Sequence, residues 1–419
     1  MFRILTNKLS LKPIITIDDF LNHCKELVKL NNDKILEMDF KLSRRSENQK
    51  INPSIGKAKL EDATKIAKMF KEIYSDSYPY KKMENEHEIK KMIKDPNYYW
   101  FLFKINNKEV VGCFGVQLEF DRKKGFLFGF VIRKKYQKII DSLKTFIACA
   151  IFLLKSYKNR ILIWYGEMRT NEAISQYATS LIGLKPVAFF PNKDIFLNQI
   201  ESIVLHIILD DLCLRKYRYK KEPKIIRQVL NCYVYSNKRY NIGVPIIKNP
   251  EINYNQMQLE KIKKRVVRKI KKEKLGIETI KFYIKNSNSF FKFIYNPYSK
   301  NFEKTKYKID NIFELVVFIQ EVKNLIQEKE INYFECYVSS YKPSHQKVFY
   351  DAGFKPRGYV PCWKYNKKKG IFEDQIVFNY YGGIVDKNMR IIPETEELLK
   401  SIRFFEEKLF KKFLIPFQE

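Results

Sequence analysis

The chain has 419 residues, 45% apolar and 30% charged, which excludes wholesale disorder and leaves length for two or three domains. Its 79 basic and 47 acidic residues give a net charge of +32. The longest clean apolar run, residues 146–154, falls far short of the roughly 20 residues of a spanning helix, so the sequence predicts a soluble, cytoplasmic protein with no membrane span.

The excess charge has two readings. Lysine supplies 63 of the 79 basic residues and arginine only 16, while Ile, Asn, Tyr and Phe abound and Gly and Pro are scarce. That is the mark of AT-rich codons, and it is the favoured reading because arginine, the bidentate phosphate reader, is not what has been enriched. An anionic partner, nucleic acid or membrane surface, is the lesser one. Seven cysteines without a C-x-x-C pair and four histidines offer no zinc-ligand spacing. Free thiols in a reducing compartment and no metal are expected.

In chain order, residues 1–52 read as a helical extension, with a helix over 18–39 carrying Phe20, Leu21, Leu27, Leu30 and Ile35, and a polar linker from Ser43 to Lys50. Residues 53–210 are mixed α/β. A strand over 55–60 and a helix over 61–74 are followed by a turn at Tyr78-Pro79-Tyr80 and a helix over 86–93. A meander of strands over 98–105, 110–120 and 126–132 comes next. A long helix over 139–157, a strand over 161–165, a helix over 171–182 ended by Gly183, and strands over 186–190 and 202–208 complete the unit. Residues 211–276 read as a basic helical connector. Within it a helix over 256–275 has Leu259, Ile262, Val266 and Ile270 as a narrow apolar stripe among lysines, and packing one edge on its domain is favoured over lying on phosphates or lipid. Residues 386–419 end the chain as an amphipathic helix over 393–413.

An internal repeat stands out. Ser175-Gln176, Gly183-Leu184-Lys185-Pro186 and Phe189-Phe190-Pro191 return 170 residues later as His345-Gln346, Gly353-Phe354-Lys355-Pro356 and Tyr359-Val360-Pro361. Glu201–Val204 then finds a counterpart in Asp374–Val377 across a three-residue insertion. Duplication is the better reading of so ordered a match, and residues 277–385 form the second, partial unit.

The order of elements, with Ile55-Gly56-Lys57-Ala58, Val110-Val111-Gly112, residues 171–183 and Pro343-Ser344-His345-Gln346 leading to Gly353-Phe354, resembles the GNAT superfamily of N-acetyltransferases. Tyr78-Pro79-Tyr80 is similar to members related to β-lysine acetyltransferase. The resemblance implies an α/β fold with a mixed, mostly antiparallel central sheet flanked by helices, and a second GNAT-like copy in the C-terminal half. It further implies acetyl-CoA or another acyl-CoA as cofactor and an amine, small or on a protein, as acceptor. In such enzymes pyrophosphate sits on backbone N–H groups at a glycine-rich turn opening the central helix. Matching positions make Ile132, Gln137, Lys138, Ser142 and Asn171 the cofactor-binding candidates, with Ile140 and Ser142 standing where the family has glycines. Glu119 and Glu167 are the nearest carboxylates for removing the amine proton, each equally readable as a solvent-facing strand-end residue. The family's Tyr on the fourth helix is replaced by Thr179 and Phe349, leaving Tyr177 as the nearby substitute. His345 reads as a surface or capping group.

Two functions follow. One is acyl transfer to a primary amine; the other is a GNAT-like scaffold that has lost catalysis and binds a partner, an anionic one included. Nucleic-acid binding through Lys261–Lys272 is a third class, unsupported by any RNP or helix-turn-helix signature.

Overall fold

In a computed structural model of the chain, residues 14–36, 53–137, 139–385 and 388–404 are described. Three short helices come first, α1 (Ile17–His23), α2 (Lys25–Val28) and α3 (Asn32–Leu36). The single helix expected over 18–39 is thus broken: α1 stops at Cys24, whose ψ of 21° leaves the helical region, although Phe20, Leu21, Leu27 and Ile35 are buried as expected. Residues 37–39 lie outside the described residues.

The next segment is β1 (Pro53–Lys57), α4 (Ala63–Tyr74), α5 (Glu86–Lys94), β2 (Tyr98–Ile105), β3 (Glu109–Glu119) and β4 (Lys124–Ile132). It continues with α6 (Ser142–Ser156), β5 (Ile163–Arg169), α7 (Ala173–Leu181), β6 (Lys185–Phe196) and β7 (Gln199–Leu209). A two-residue strand pair, β8 (Lys224–Ile225) and β9 (Ile246–Ile247), flanks α8 (Leu230–Tyr240). After α9 (Gln256–Lys263) come β10 (Val266–Lys272), β11 (Glu278–Ile284), β12 (Phe290–Asn296), β13 (Asn301–Lys308), α10 (Ile312–Glu328), β14 (Tyr333–Ser339), α11 (Pro343–Asp351), β15 (Lys355–Asn366) and β16 (Ile371–Tyr381). The last element is α12 (Pro393–Ser401); its expected continuation to 413 passes into residues that are not described.

Fourteen strands form one sheet in the order β1-β2-β3-β4-β5-β7-β6-β15-β16-β14-β13-β12-β11-β10. Only β4–β5 and β13–β14 are parallel, because each of those pairs is joined by a long helix, α6 or α10, that carries the chain back across a face. The molecule is therefore mixed α/β with a large, mostly antiparallel sheet. Read inward from either edge, the two seven-stranded halves have one order and one parallel pair each, and they meet where β6 and β15 pair at Ala188 and Gly358. A Cβ on Gly358 would stand 2.3 Å from the Val187 carbonyl oxygen, so only glycine lets the two strands approach this closely.

Local details also recur across the halves. Gly183 and Gly353 end α7 and α11 with φ of 86° and 94°. Gln176 Nε2 donates to the Arg169 carbonyl at 2.9 Å and Gln346 Nε2 to the Ser339 carbonyl at 3.0 Å. Thr170 Oγ1 donates to the Ser202 carbonyl and Ser340 Oγ to the Asp374 carbonyl. Those bonds match Ser202 with Asp374, which corrects the expected offset: β6 and β7 turn over two residues and β15 and β16 over four, an insertion of two rather than three.

One face of the first half packs α6, through Ile147 and Ile151, and the N-terminal helices over Phe101, Phe114 and Trp164. The other packs α4 and α5 over Trp100 and Leu102, in a core continuous with that beneath α10. The cationic helix expected over 256–275 is corrected here. Helix α9 stops at Lys263 and the chain becomes β10, an edge strand paired with β11 from Val266↔Ile284 to Lys272↔Glu278. Among the described residues no helix is long and apolar enough to cross a membrane.

Candidate functional site

The β4–β5 ladder runs from Lys124↔Ile163 to Leu127↔Gly166 and stops. Beyond it β4 follows β3 and β5 follows β7, so the two strands part. A bulge at Gly129 (φ 61°), between the Cys113 and Gly115 rungs, turns β4 away. Because strand backbone groups point alternately to either side, N–H and C=O groups of β5 past Gly166 face a gap that β4 no longer fills.

Glu167 is the first residue past that last rung, and it is half-buried. Its Oε1 accepts from Lys193 Nζ at 2.9 Å, and the same ammonium reaches Glu335 Oε2 at 3.1 Å. Lys193 is 1% exposed, on a bulge of β6 where Asn192 takes φ 55°. Burial alone would push its ammonium down, but Glu167 and Glu335 hold it well above its usual range. Beside it, Asp194 accepts from Ser299 Oγ and Asn301 Nδ2, and Tyr80 OH lies 3.3 Å from Asp194 and 3.4 Å from Glu303. Burial pushes the Asp194 carboxyl up to about 7, against the pull of Lys193. Burial raises Glu335 as well. A lysine and four carboxylates, drawn from both halves, thus form one cluster, of which Glu167 stands next to the gap.

Glu119 is separate from this group. It accepts from Tyr165 OH at 2.7 Å and from Arg122 Nη1 at 2.7 Å; burial would raise its carboxyl, but Arg122 outweighs that and holds it below the usual range. It is therefore a tethered strand-end carboxylate rather than a solvent-facing one. Tyr177 is 46% exposed on α7. Thr179 instead faces inward and bonds His206 Nδ1 at 3.0 Å, while Phe349 is core.

Of the cofactor candidates, Gln137 and Ile132 are brought together, Nε2 donating to the Ile132 carbonyl at 3.0 Å. Lys138 lies outside the described residues. Ser142 opens α6 and Asn171 is half-buried in the β5–α7 link. Asp141 caps α6, its Oδ1 accepting from Lys144 N at 3.0 Å, and the N–H groups of Ile139 and Ile140 both go to the Tyr136 carbonyl. Strand-edge N–H and C=O groups of β5 match the chemistry of an amide-bearing arm, while at the helix end the protein's own carboxylate stands where a phosphate would be drawn, with Lys134 and Lys135 in the turn just before it.

The second half differs. Its parallel ladder ends at Phe302↔Phe334, and Thr305 Oγ1 then bridges to the Glu335 carbonyl at 2.6 Å. Asn311 and Glu314 form a closed capping box on α10. His345, expected at the surface, is buried with its ring against Tyr307, and burial with Lys342 and Lys364 lowers it to about 4. The first half holds the open site.

Sequence reasoning missed Lys193, Asp194, Glu303, Glu335 and Tyr80 as a group. The available signal was Lys193-Asp194 lying just past the repeated Pro191, where the other copy has Trp363-Lys364. Trp363 has its own partner, the buried Lys124, whose Nζ lies 3.1 Å from the indole centroid and whose ammonium burial pushes well below the usual range.

No family model and no curated protein matches the chain. Among solved structures it is similar to a variant of spermidine N-acetyltransferase from Vibrio cholerae, at 13% identity and TM-score 0.32 over 38% of this chain and 95% of that one. It is similar also to ribosomal-protein-S5-alanine acetyltransferase from Vibrio fischeri, at 13% identity and TM-score 0.32 over 41% and 98%. A third likeness is to ribosomal-protein-S18-alanine N-acetyltransferase from Escherichia coli, at 14% identity and TM-score 0.31 over 40% and 99%.

Proposed function

We propose that the chain is a duplicated GNAT-type fold, with one unit over 53–210 and a second beginning at β10, whose first unit transfers an acyl group from an acyl-CoA to a primary amine. The observation that carries this reading is the gap past Leu127↔Gly166, lined by strand-edge groups of β5 and turned open by the bulge at Gly129. An acyl-CoA lying there, acetyl-CoA being the simplest, would supply a thioester carbonyl. Glu167, one residue past the rung, takes the proton released when the amine nitrogen bonds the acyl carbon and the carbon–sulfur bond breaks. Lys193 fixes that carboxylate in direction, its Nζ donating to Glu167 Oε1.

The test is titration calorimetry with acetyl-CoA in moderate salt, followed by turnover with amine acceptors. Saturable binding near one site per chain is expected. Glu167→Gln should lower turnover roughly 10²–10⁴-fold while changing acetyl-CoA affinity little. Absence of saturable binding supports a second reading, a scaffold that binds a partner without chemistry, which the Asp141 cap and the spent N–H groups of Ile139 and Ile140 favour.

A further inference from the structure

In the first half, α4 and α5 lie between β1 and β2 and cover one face of the sheet. Between β10 and β11 the chain has only residues 273–277, turning through Leu275 and Gly276 at φ 59° and 73°. Helix α10 still covers the other face, over Ile280, Phe282, Phe291 and Phe293. The face that α4 and α5 would cover therefore carries no helix of its own across β10–β13, and the first half reaches it only near Glu303 and Asn296, through Tyr80 and Pro79.

The register sets four lysines directly opposite one another on it, Lys269↔Lys281↔Lys292↔Lys306. Neighbouring strands lie about 5 Å apart, and like charges facing at that distance repel. Among the described residues none of the four is in an ion pair. Lys271 and Lys308 extend the patch in the adjoining rows, whose acids are buried Glu303, Glu273 bonded to Thr279, and Asp310 paired with Lys308. Edge protection explains lysine on β10 but not on β11, β12 and β13, which are paired on both sides. The next row holds Tyr283 opposite Phe290, half-buried, with Lys269 and Lys281 5.2 and 5.7 Å from the Tyr283 centroid.

We propose that this open face binds single-stranded nucleic acid, the lysine row tracking phosphates while Tyr283 and Phe290 offer their rings to bases. An open sheet with stacking rings beside cations is the arrangement that takes unpaired bases. Lysine heads lie over the Tyr283 and Phe290 rings, so the rings do not protrude as insertion among lipid chains would need. Partial burial and the charges of Arg122 and Lys292 hold Lys306 below its usual range, so the row gains from a counter-charge.

The test uses the full chain and fluorescein-labelled 12-mers of uridine and of thymidine, followed by anisotropy across a salt series. Lys281→Glu with Lys292→Glu should weaken binding at least tenfold and make the salt slope shallower by about 1.4, the share of two phosphates on a single strand. Tyr283→Ala should weaken it roughly tenfold with the slope unchanged. The paired reversal should leave the melting temperature level or raised, since it relieves like-charge repulsion. A control reversing exposed Lys25 and Lys68 carries the same net charge. Equal loss in that control overturns the proposal in favour of general attraction to a +32 chain. Binding to phosphatidylserine vesicles without binding to either 12-mer overturns it in favour of a membrane.

Discussion

Asp194 is a carboxyl group that burial holds near pH 7, and its titration must appear in stability. Its folded pKa lies above the unfolded value near 4, so the folded chain keeps the proton longer and this group costs stability progressively as pH rises from about 4 to about 7. Asp194→Asn should therefore gain on the wild type across that window, by up to about 4 kcal/mol at pH 8, and match it at pH 4. Urea midpoints at both pH values check this; parallel curves would show that Asp194 is ionised throughout. His206 works in the opposite sense. Burial, with Lys185 and Arg239, lowers it to about 3, so the stability its neutral ring gives above pH 6.5 is lost toward pH 3. Comparing variant with wild type cancels it. At this scale the sequence was least legible. Glu167 could be named from its strand, but of the partners that give it meaning Lys193 lies 26 residues on and Glu335 a further 142. No periodicity reports which buried lysine meets which carboxylate.

The bulges in β4 and β13 do one job with different residues, Gly129 at φ 61° and Lys304 at φ 56°. A Cβ on Gly129 would also sit 2.9 Å from the Phe70 ring. Gly129→Ala should then cost about 1–3 kcal/mol, whereas Lys304→Gly, relieving a strained side-chain-bearing residue at an exposed site, should be neutral or stabilising by up to about 1 kcal/mol. Chemical denaturation of the two variants decides it: a penalty for Lys304→Gly equal to that of Gly129→Ala would mean that the positive φ at 304 carries no strain for glycine to relieve. Elements themselves were largely legible, since the alternation of the meander and the 3.6-residue stripes of α4 and α6 each point to one structure. Residues 266–272 were not. Leu259, Ile262, Val266 and Ile270 satisfy a helical stripe, yet Val266, Val267 and Ile270 are β-branched and find a partner strand in β11. Pairing with a distant segment overrode a local pattern that suits either form.

At the scale of the whole molecule, the strand order reads the same inward from either edge of the sheet, and no spacing in the sequence says how the two halves are joined. That depends on the β6–β15 seam, where strands from the two halves touch at Ala188 and Gly358 and the Lys193 cluster draws on Glu167 and Glu335 from either side. Helix α8 adds to the seam: Ser236 Oγ donates to the Tyr359 carbonyl, and Tyr235 OH reaches the Pro186 carbonyl of β6. A sheet and a core shared in this way should unfold as one cooperative unit. Trp100 and Trp164 report on the first half and Trp363 on the seam, so fluorescence and far-ultraviolet dichroism should give coincident transitions. Gly358→Val drives a side chain into the Val187 carbonyl and Ala188. It should lower the melting temperature, by an overpacking cost of about 1–3 kcal/mol or more, and split the two signals as the halves come apart. Two transitions in the wild type would mean instead that each half folds alone and that the seam is a weak contact.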